Sequence, residues 1–174
     1  NVRAMTLPPE PPEAPPRRLT GVANLLGALR NLGLLGTNVG SDAGLVRYTA
    51  DDGQSIPVRI TGQGPPVVLV HGLGCSHKHW MPVAKRLSRN HCVLAWDARG
   101  HGQCRTGPDV PITLARLALD LHQLMDRFEL DGVTLVGHSM GGLTVMHYLQ
   151  QFGTRRVAAV GVVDQSPRIV TDDH

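Results

Sequence analysis

Aromatic residues are scarce: Phe, Trp and Tyr together make up 3% of the 174 residues. That leaves no stacking platform for nucleic-acid bases, and no stretch interleaves basic side chains with aromatics. Charge of one sign is lacking as well. Lys and Arg number 17 against 14 Asp and Glu, a formal charge of +3, too small to argue for a nucleic-acid partner. Cysteine is limited to Cys75, Cys92 and Cys104. An odd number at irregular spacing forms neither a zinc pattern nor a disulfide framework. A reducing compartment, and hence the cytoplasm, is the default expectation. No run of about 20 apolar residues exists, so no segment reads as a helix spanning a bilayer.

What is present is ordinary globular material, 41% hydrophobic and 18% charged. A chain of this length suggests one domain, able to bury roughly 70% of the surface its unfolded form exposes. It starts at Asn1 rather than methionine, so a processed or partial chain is expected.

Residues 1–19 contain "LPPEPPEAPPRR", which excludes helix or strand interior and reads as an extended linker. Residues 20–44 follow as a short amphipathic helix and loop, with Val22, Leu25, Leu26, Leu29 and Leu32 at helical spacing. Packing on the domain is the preferred reading. An interfacial membrane helix would carry several Lys or Arg on its polar face, where this one has Arg30 and asparagines. A secretory apolar segment is the third reading.

From residue 45 onward the pattern is that of a folded domain. "LVRYTA" and "IPVRITG", separated by "DDGQS", predict a hairpin. "PVVLVHG" and "CVLAW" are continuous apolar runs, as expected of strands buried on both faces. Residues 78–89 and "ITLARLALDLHQLMDRFEL" predict helices. "VTLV", a helix over about 141–152 and "VAAVGVV" complete the alternation. Alternating strands and helices predict an α/β fold with a mainly parallel, doubly wound sheet.

Such sheets present their chemistry at the carboxyl ends of the strands. Three unusual turns fall there: "HGLG" at 71–74, "DARGHG" at 97–102 and "GHSMG" at 137–141. The last fits G-x-S-x-G. Turning directly from strand into helix strains the serine backbone, and Gly137 and Gly141 remove side chains that would collide beside it. The hydroxyl of Ser139 is then projected at the amino end of a helix, where the dipole and free N–H groups favour developing negative charge. "HGLG" can aim the Leu73 N–H at the same spot as the Met140 N–H, so these two are the expected oxyanion donors. His71 reads as a brace for its loop, because it is fixed before the nucleophile and badly placed to be the base. Asp97 and Arg99 are expected to pair with each other and hold their loop. A metal site from His77, His79 and His101 lacks carboxylate ligands and fits no zinc spacing.

With "VVLVHGLG", "WDARGHG" and "VGHSMGG" in this order and at these intervals, the chain resembles the α/β-hydrolase fold superfamily over about residues 45–170. It is most like the branch of small serine esterases, cofactor-free haloperoxidase-like perhydrolases, lactonases and carbon–carbon bond hydrolases. The resemblance implies a small-molecule ester-like substrate, Ser139 as nucleophile and no cofactor or metal. Cys104 is a departure, since that branch often has serine after "RGHG"; loop packing is what it should affect. Dehalogenases and epoxide hydrolases of this fold place aspartate at the elbow, so Ser139 argues against both.

The superfamily orders its triad as nucleophile, acid, histidine. This sequence reaches just past a sixth predicted strand. His147 lies within a helix and belongs to packing, and His174 has no strand to position it. The base is therefore expected from a missing carboxyl-terminal half of the domain, in the same chain or a second one, and the chain alone is expected to be inactive. Asp164 in "VVDQSP" is one candidate acid, in competition with the reading that this segment merely leads to a lid. A ligand-binding protein that keeps the fold without turnover is the alternative function. Contact with a membrane is not expected.

Overall fold

The computed structural model describes residues 44–107 and 110–164. The proline-rich linker, the amphipathic segment before residue 44 and His174 lie outside them. Six strands form one sheet in the order β1-β2-β4-β3-β5-β6. Here β1 is Leu45–Thr49, β2 Ser55–Thr61, β3 Pro66–Val70, β4 Cys92–Trp96, β5 Val133–His138 and β6 Val157–Val163. The first two strands form the expected hairpin, and β2 runs antiparallel to β4. The remaining pairings, β4 with β3, β3 with β5 and β5 with β6, are parallel. The sheet is thus mainly parallel, as the alternation of elements predicts.

Every residue of "PVVLV" and of "CVLAW" is buried. Alternate side chains of β3 enter different cores: Val68 and Val70 one, Val67 and Leu69 the other. Both sheet faces are therefore covered here, which is why neither strand shows the apolar–polar alternation of a half-exposed one. The smaller core lies under α1 (Met81–Leu87), through Ala84, Met81 and Leu87. The sequence predicted one helix over 78–89. The structure has a 3₁₀ turn at His77–Trp80 and then the shorter α1, with Pro82 in its first turn. Proline lacks an N–H to donate and is tolerated only there, so it fixes where the regular helix starts.

The larger core lies under α2 (Leu114–Arg127) and α3 (Met140–Phe152). Helix α2 starts where the Thr113 hydroxyl accepts from the Arg116 N–H at 3.1 Å, a cap worth about 1 kcal/mol. Leu117, Leu121, Leu124 and Met125 supply its buried stripe. It ends in a Schellman motif. Glu129 takes φ +49, its N–H donates to Asp126 O, and the Leu130 N–H reaches back to Met125 O at 2.8 Å.

Strand β6 is the last described strand on its side of the sheet. Pairing of Leu135 with Val160 and of His138 with Val163 assigns Val160 and Val162 to the α3 face and Val163 to the other. All three are exposed. Beyond Val157, which packs on the larger core, β6 thus leaves apolar side chains exposed on both faces among the described residues.

Candidate active site

The site is built at the carboxyl ends of β3, β4 and β5. Ser139 follows β5 directly and precedes α3, with φ +49 and ψ −119. This is the left-handed side of backbone space, costly for a residue with a side chain. Three hydrogen bonds hold it there. The Ser139 N–H donates to Val163 O on β6, and its carbonyl accepts from the N–H groups of Gly142 and Leu143. Its hydroxyl makes no capping bond to the helix. The side chain is half-buried and remains uncommitted.

The flanking glycines are required sterically. A Cβ on Gly137 would lie 2.4 Å from the Gly141 carbonyl oxygen, and one on Gly141 would lie 2.2 Å from Val70 O and 2.8 Å from His71 O. Both neighbours are backbone, which cannot rotate aside. The first turn of α3 therefore packs directly on the end of β3, and that contact brings the loop after β3 beside Ser139.

In that loop the Cys75 N–H donates to Gly72 O and Gly74 takes φ +69. These are the marks of a type II turn with glycine at its third position. Leu73 stands at the crest, 74% exposed, and its N–H donates to no backbone carbonyl among the described residues. Met140 is the first residue of α3 and so has no intrahelical acceptor for its own N–H. The two expected oxyanion donors thus sit in adjoining turns at one end of the sheet, each with a free donor.

The turn is pinned to the loop after β4. His71 is buried; its Nε2 accepts from the Ala98 N–H at 3.0 Å, and its Nδ1–H donates to Gly72 O at 2.8 Å. That pattern requires the neutral tautomer with the proton on Nδ1. Burial, with the cationic form of nearby His101 adding to it, pushes the His71 pKa down. The bracing role read from the sequence is what the geometry displays.

Asp97 and Arg99 do not pair with each other, contrary to expectation. Both lie in the loop just after β4, and each turns to a different set of partners. Asp97 is fully buried and accepts from the His77 N–H at 2.6 Å, His77 Nδ1–H at 2.8 Å and the Gln103 N–H at 2.8 Å. Burial alone would raise its pKa, but these bonds together hold it below the ordinary carboxylate value. Gly102 is required opposite, since a Cβ there would meet the carboxylate at 2.4 Å. Arg99 is equally buried and donates to Asp120 at 2.6 and 2.8 Å and to Asp52 at 2.8 Å. Arg116 donates to the same Asp120 carboxylate. This network ties the hairpin turn and the β4 loop to α2, and no sequence spacing advertises it.

Asp164 ends β6 with φ +50. Its side chain is 88% exposed and lies 3.7 Å from His138 Nε2, the imidazole just before Ser139. Among the described residues no histidine hydrogen-bonds the Ser139 hydroxyl. Nor does any group of three or more His, Cys, Asp or Glu converge there as metal ligands. His77 is engaged by Asp97, His79 accepts from the Ser76 N–H, and His101 donates to Arg99 O. Cys104 is buried against Gln54 and Ser55, and burial pushes its thiol up to about 11. It is a packing residue of the β4 loop, as the departure from "RGHG" plus serine suggests. No described helix is long and apolar enough to cross a membrane.

Comparison with known proteins gives the same architecture. A profile of the alpha/beta hydrolase fold matches residues 65–173. Among curated relatives, 3-oxoadipate enol-lactonase 1 of Acinetobacter baylyi is 29% identical over 130 residues, which are 74% of this chain and 48% of that protein. Among solved structures, esterase RhEst1 from a Rhodococcus species superposes with a TM-score of 0.65 at 31% identity, covering 69% of this chain and 45% of that one. A bromoperoxidase from Bacillus anthracis gives 0.64 at 33%, covering 68% and 43%. The chain spans less than half the length of each of these three proteins. With the profile matching well over half of its residues, the chain belongs to the alpha/beta hydrolase fold family.

Proposed function

We propose that this polypeptide carries the nucleophile and oxyanion half of a serine hydrolase acting on an ester, thioester, lactone or similar carbonyl. The observation that carries the reading is Ser139. It is held at φ +49 between a parallel strand and a helix, with its hydroxyl uncommitted. Strain of about 1–3 kcal/mol at one residue persists only where the surroundings over-determine it. In the proposed reaction Ser139 Oγ attacks the carbonyl carbon, and the Leu73 and Met140 N–H groups receive the oxyanion. Expulsion of the alcohol, thiol or lactone oxygen leaves an acyl-enzyme, which water then clears. Two such donors contribute about 3–4 kcal/mol each in comparable sites. The named activities of the lactonase and esterase relatives are consistent with this class.

The base, and in our reading the acid, come from sequence that packs beyond β6. Bare apolar side chains on both faces of that strand support such a segment, as does the length of the relatives. Asp164 competes for the acid role through its position one strand from the elbow. Its exposure and its contact with His138 weigh against it. On this reading the 174-residue chain alone has negligible esterase activity, because loss of one triad member costs on the order of 10⁴–10⁶ in turnover. The competing function, ligand binding without turnover, draws on the absence of an imidazole at the Ser139 hydroxyl among the described residues.

A fluorophosphonate probe applied to the longest native polypeptide carrying this sequence, followed by peptide mapping, tests the mechanism. Labelling of Ser139, abolished in Ser139→Ala, is expected. Labelling elsewhere, or none in a preparation that binds ester analogues, favours the binder.

A further inference from the structure

We propose that His71 and Asp97 are positioning residues for the oxyanion turn, and that the His71 latch closes only in its neutral, Nδ1-protonated form. The inference rests on the hydrolase reading for its kinetic consequence but not for its geometry.

The turn carrying Leu73 has few anchors of its own. Its crest is exposed, and the glycines at 72 and 74 give it conformational freedom. What fixes it are two pins to the loop after β4, one on each side of Leu73. On the strand side, His71 Nε2 accepts from the Ala98 N–H while Nδ1–H holds Gly72 O. On the helix side, buried Asp97 receives both the backbone and ring N–H of His77 and is itself fixed by the Gln103 N–H. The β4 loop thus clamps residues 71 and 77, and the oxyanion donor lies between them.

The two pins respond differently to acid. Asp97 is a carboxylate accepting three N–H groups, so its pin survives until the carboxylate is protonated. His71 uses a lone pair. Protonating Nε2 turns an acceptor into a donor that faces the Ala98 N–H, and the bond becomes a repulsion. The groups facing His71 are few. His101, with ring centroids 5.3 Å apart, and His79 oppose its protonation when charged, and Asp97 favours it. Burial dominates, so the latch stays closed at neutral pH. As pH falls below the ordinary histidine value of about 6.5, opening becomes progressively favoured, and it is complete once the lowered native pKa is passed. The turn then loses its pin to Ala98 and keeps the one at His77, so Leu73 loses its aim while Ser139 keeps its place.

The test has two independent arms on the native polypeptide carrying this sequence. Histidine-selective ¹⁵N NMR reads the tautomer without reference to activity. Expected is a His71 with a protonated Nδ1 and a bare Nε2 at neutral pH, titrating below 6.5 together with the Ala98 amide. An Nε2-protonated tautomer, or a cationic ring at neutral pH, overturns the latch. In the kinetic arm, active sites are counted by fluorophosphonate labelling, so that unfolded protein does not enter kcat. His71→Phe should lower kcat per site by about 10²-fold with little change in KM, the loss expected for an oxyanion donor displaced by about 1 Å. His71→Gln, whose carbonyl can accept from Ala98 without titrating, should restore much of kcat and flatten the acid limb of its pH profile. Asp97→Asn should lower kcat per site while leaving that acid limb in place. Unchanged kcat per labelled site in His71→Phe and Asp97→Asn, with only lower thermal stability, would make both residues merely structural. Failure of the hydrolase reading would show instead as no labelling at all, with the tautomer unaffected.

Discussion

Replacing Gly141 with alanine should damage both the fold and the site, and by an amount the structure sets. The new Cβ would stand 2.2 Å from Val70 O, and relief to the 3.4 Å of an ordinary contact needs a retreat of about 1.2 Å. Neither partner is a flexible side chain, so α3 must move off the end of β3 as a unit. Overpacking costs of 1–3 kcal/mol are usual for side-chain neighbours, and backbone on both sides puts this case at about 3 kcal/mol. The same shift carries Ser139, and a misplacement of about 1 Å costs about 10²-fold in reactivity. Urea unfolding measures the first quantity through a lower midpoint at unchanged slope. The rate of fluorophosphonate labelling measures the second. Gly161→Ala is the matched control. Its Cβ would meet only Val136 side-chain atoms at 3.6 Å, with no positive φ, so its midpoint should move by less than about 0.5 kcal/mol. Should Gly141→Ala unfold and label like the parent, the close approach of α3 to β3 is wrong, and so is the steric account of the elbow.

The remaining expectations concern charge and strain. Asp120→Ala leaves the buried Arg99 guanidinium without its two strongest bonds, and should destabilise by about 3–5 kcal/mol in the same unfolding assay. Stability should fall with acid in two stages. His71, with its lowered pKa, binds more protons when unfolded, so stability is lost as pH drops below about 6.5. Asp97, also lowered, contributes stability that is present above about 4 and lost as pH falls through its lower native value. Urea midpoints against pH should show both stages, with the upper one absent in His71→Gln. Glu129→Gly should raise stability by about 0.5–1 kcal/mol, because glycine accepts the φ of +49 required at the end of α2.

Most of the framework was legible because it obeys periodicity. Uncharged five-residue runs at β3 and β4 are what strands covered on both sides look like, and the three- and four-residue spacing through Leu117, Leu121 and Leu124 is that of a helix facing the core. The elbow was legible for a steric reason, since G-x-S-x-G names the two positions where backbone meets backbone. What escaped were contacts that depend on where loops fold back. Asp97 and Arg99 are two residues apart and of opposite sign, yet each answers to a partner on another element: His77 for one, Asp120 for the other. Asp120 sits among the buried positions of α2, and that acid within an apolar stripe was the one available signal. The helix predicted over 78–89 was too long because apolar spacing continued through a turn that Pro82 excludes from regular helix.

The distribution of strain bears on the proposal that a base for Ser139 comes from beyond β6. Of the three non-glycine residues with positive φ among the described ones, Glu129 ends a helix and needs no further explanation. The other two, Ser139 and Asp164, terminate adjacent parallel strands, and the Ser139 N–H is bonded to the residue just before Asp164. The elbow is therefore braced from three sides: by β3 through Gly141, by β6 through Val163, and by its own helix through Gly142 and Leu143. The turn carrying Leu73 is braced from a fourth, by the β4 loop. The position of Ser139 is fixed within these strands, whereas nothing described fixes a proton acceptor for its hydroxyl. A base supplied from beyond β6 would meet a site already in place, needing to contribute an imidazole and not to build the pocket around it. Geometry at Ser139 should accordingly be independent of that segment, while reactivity should depend on it entirely.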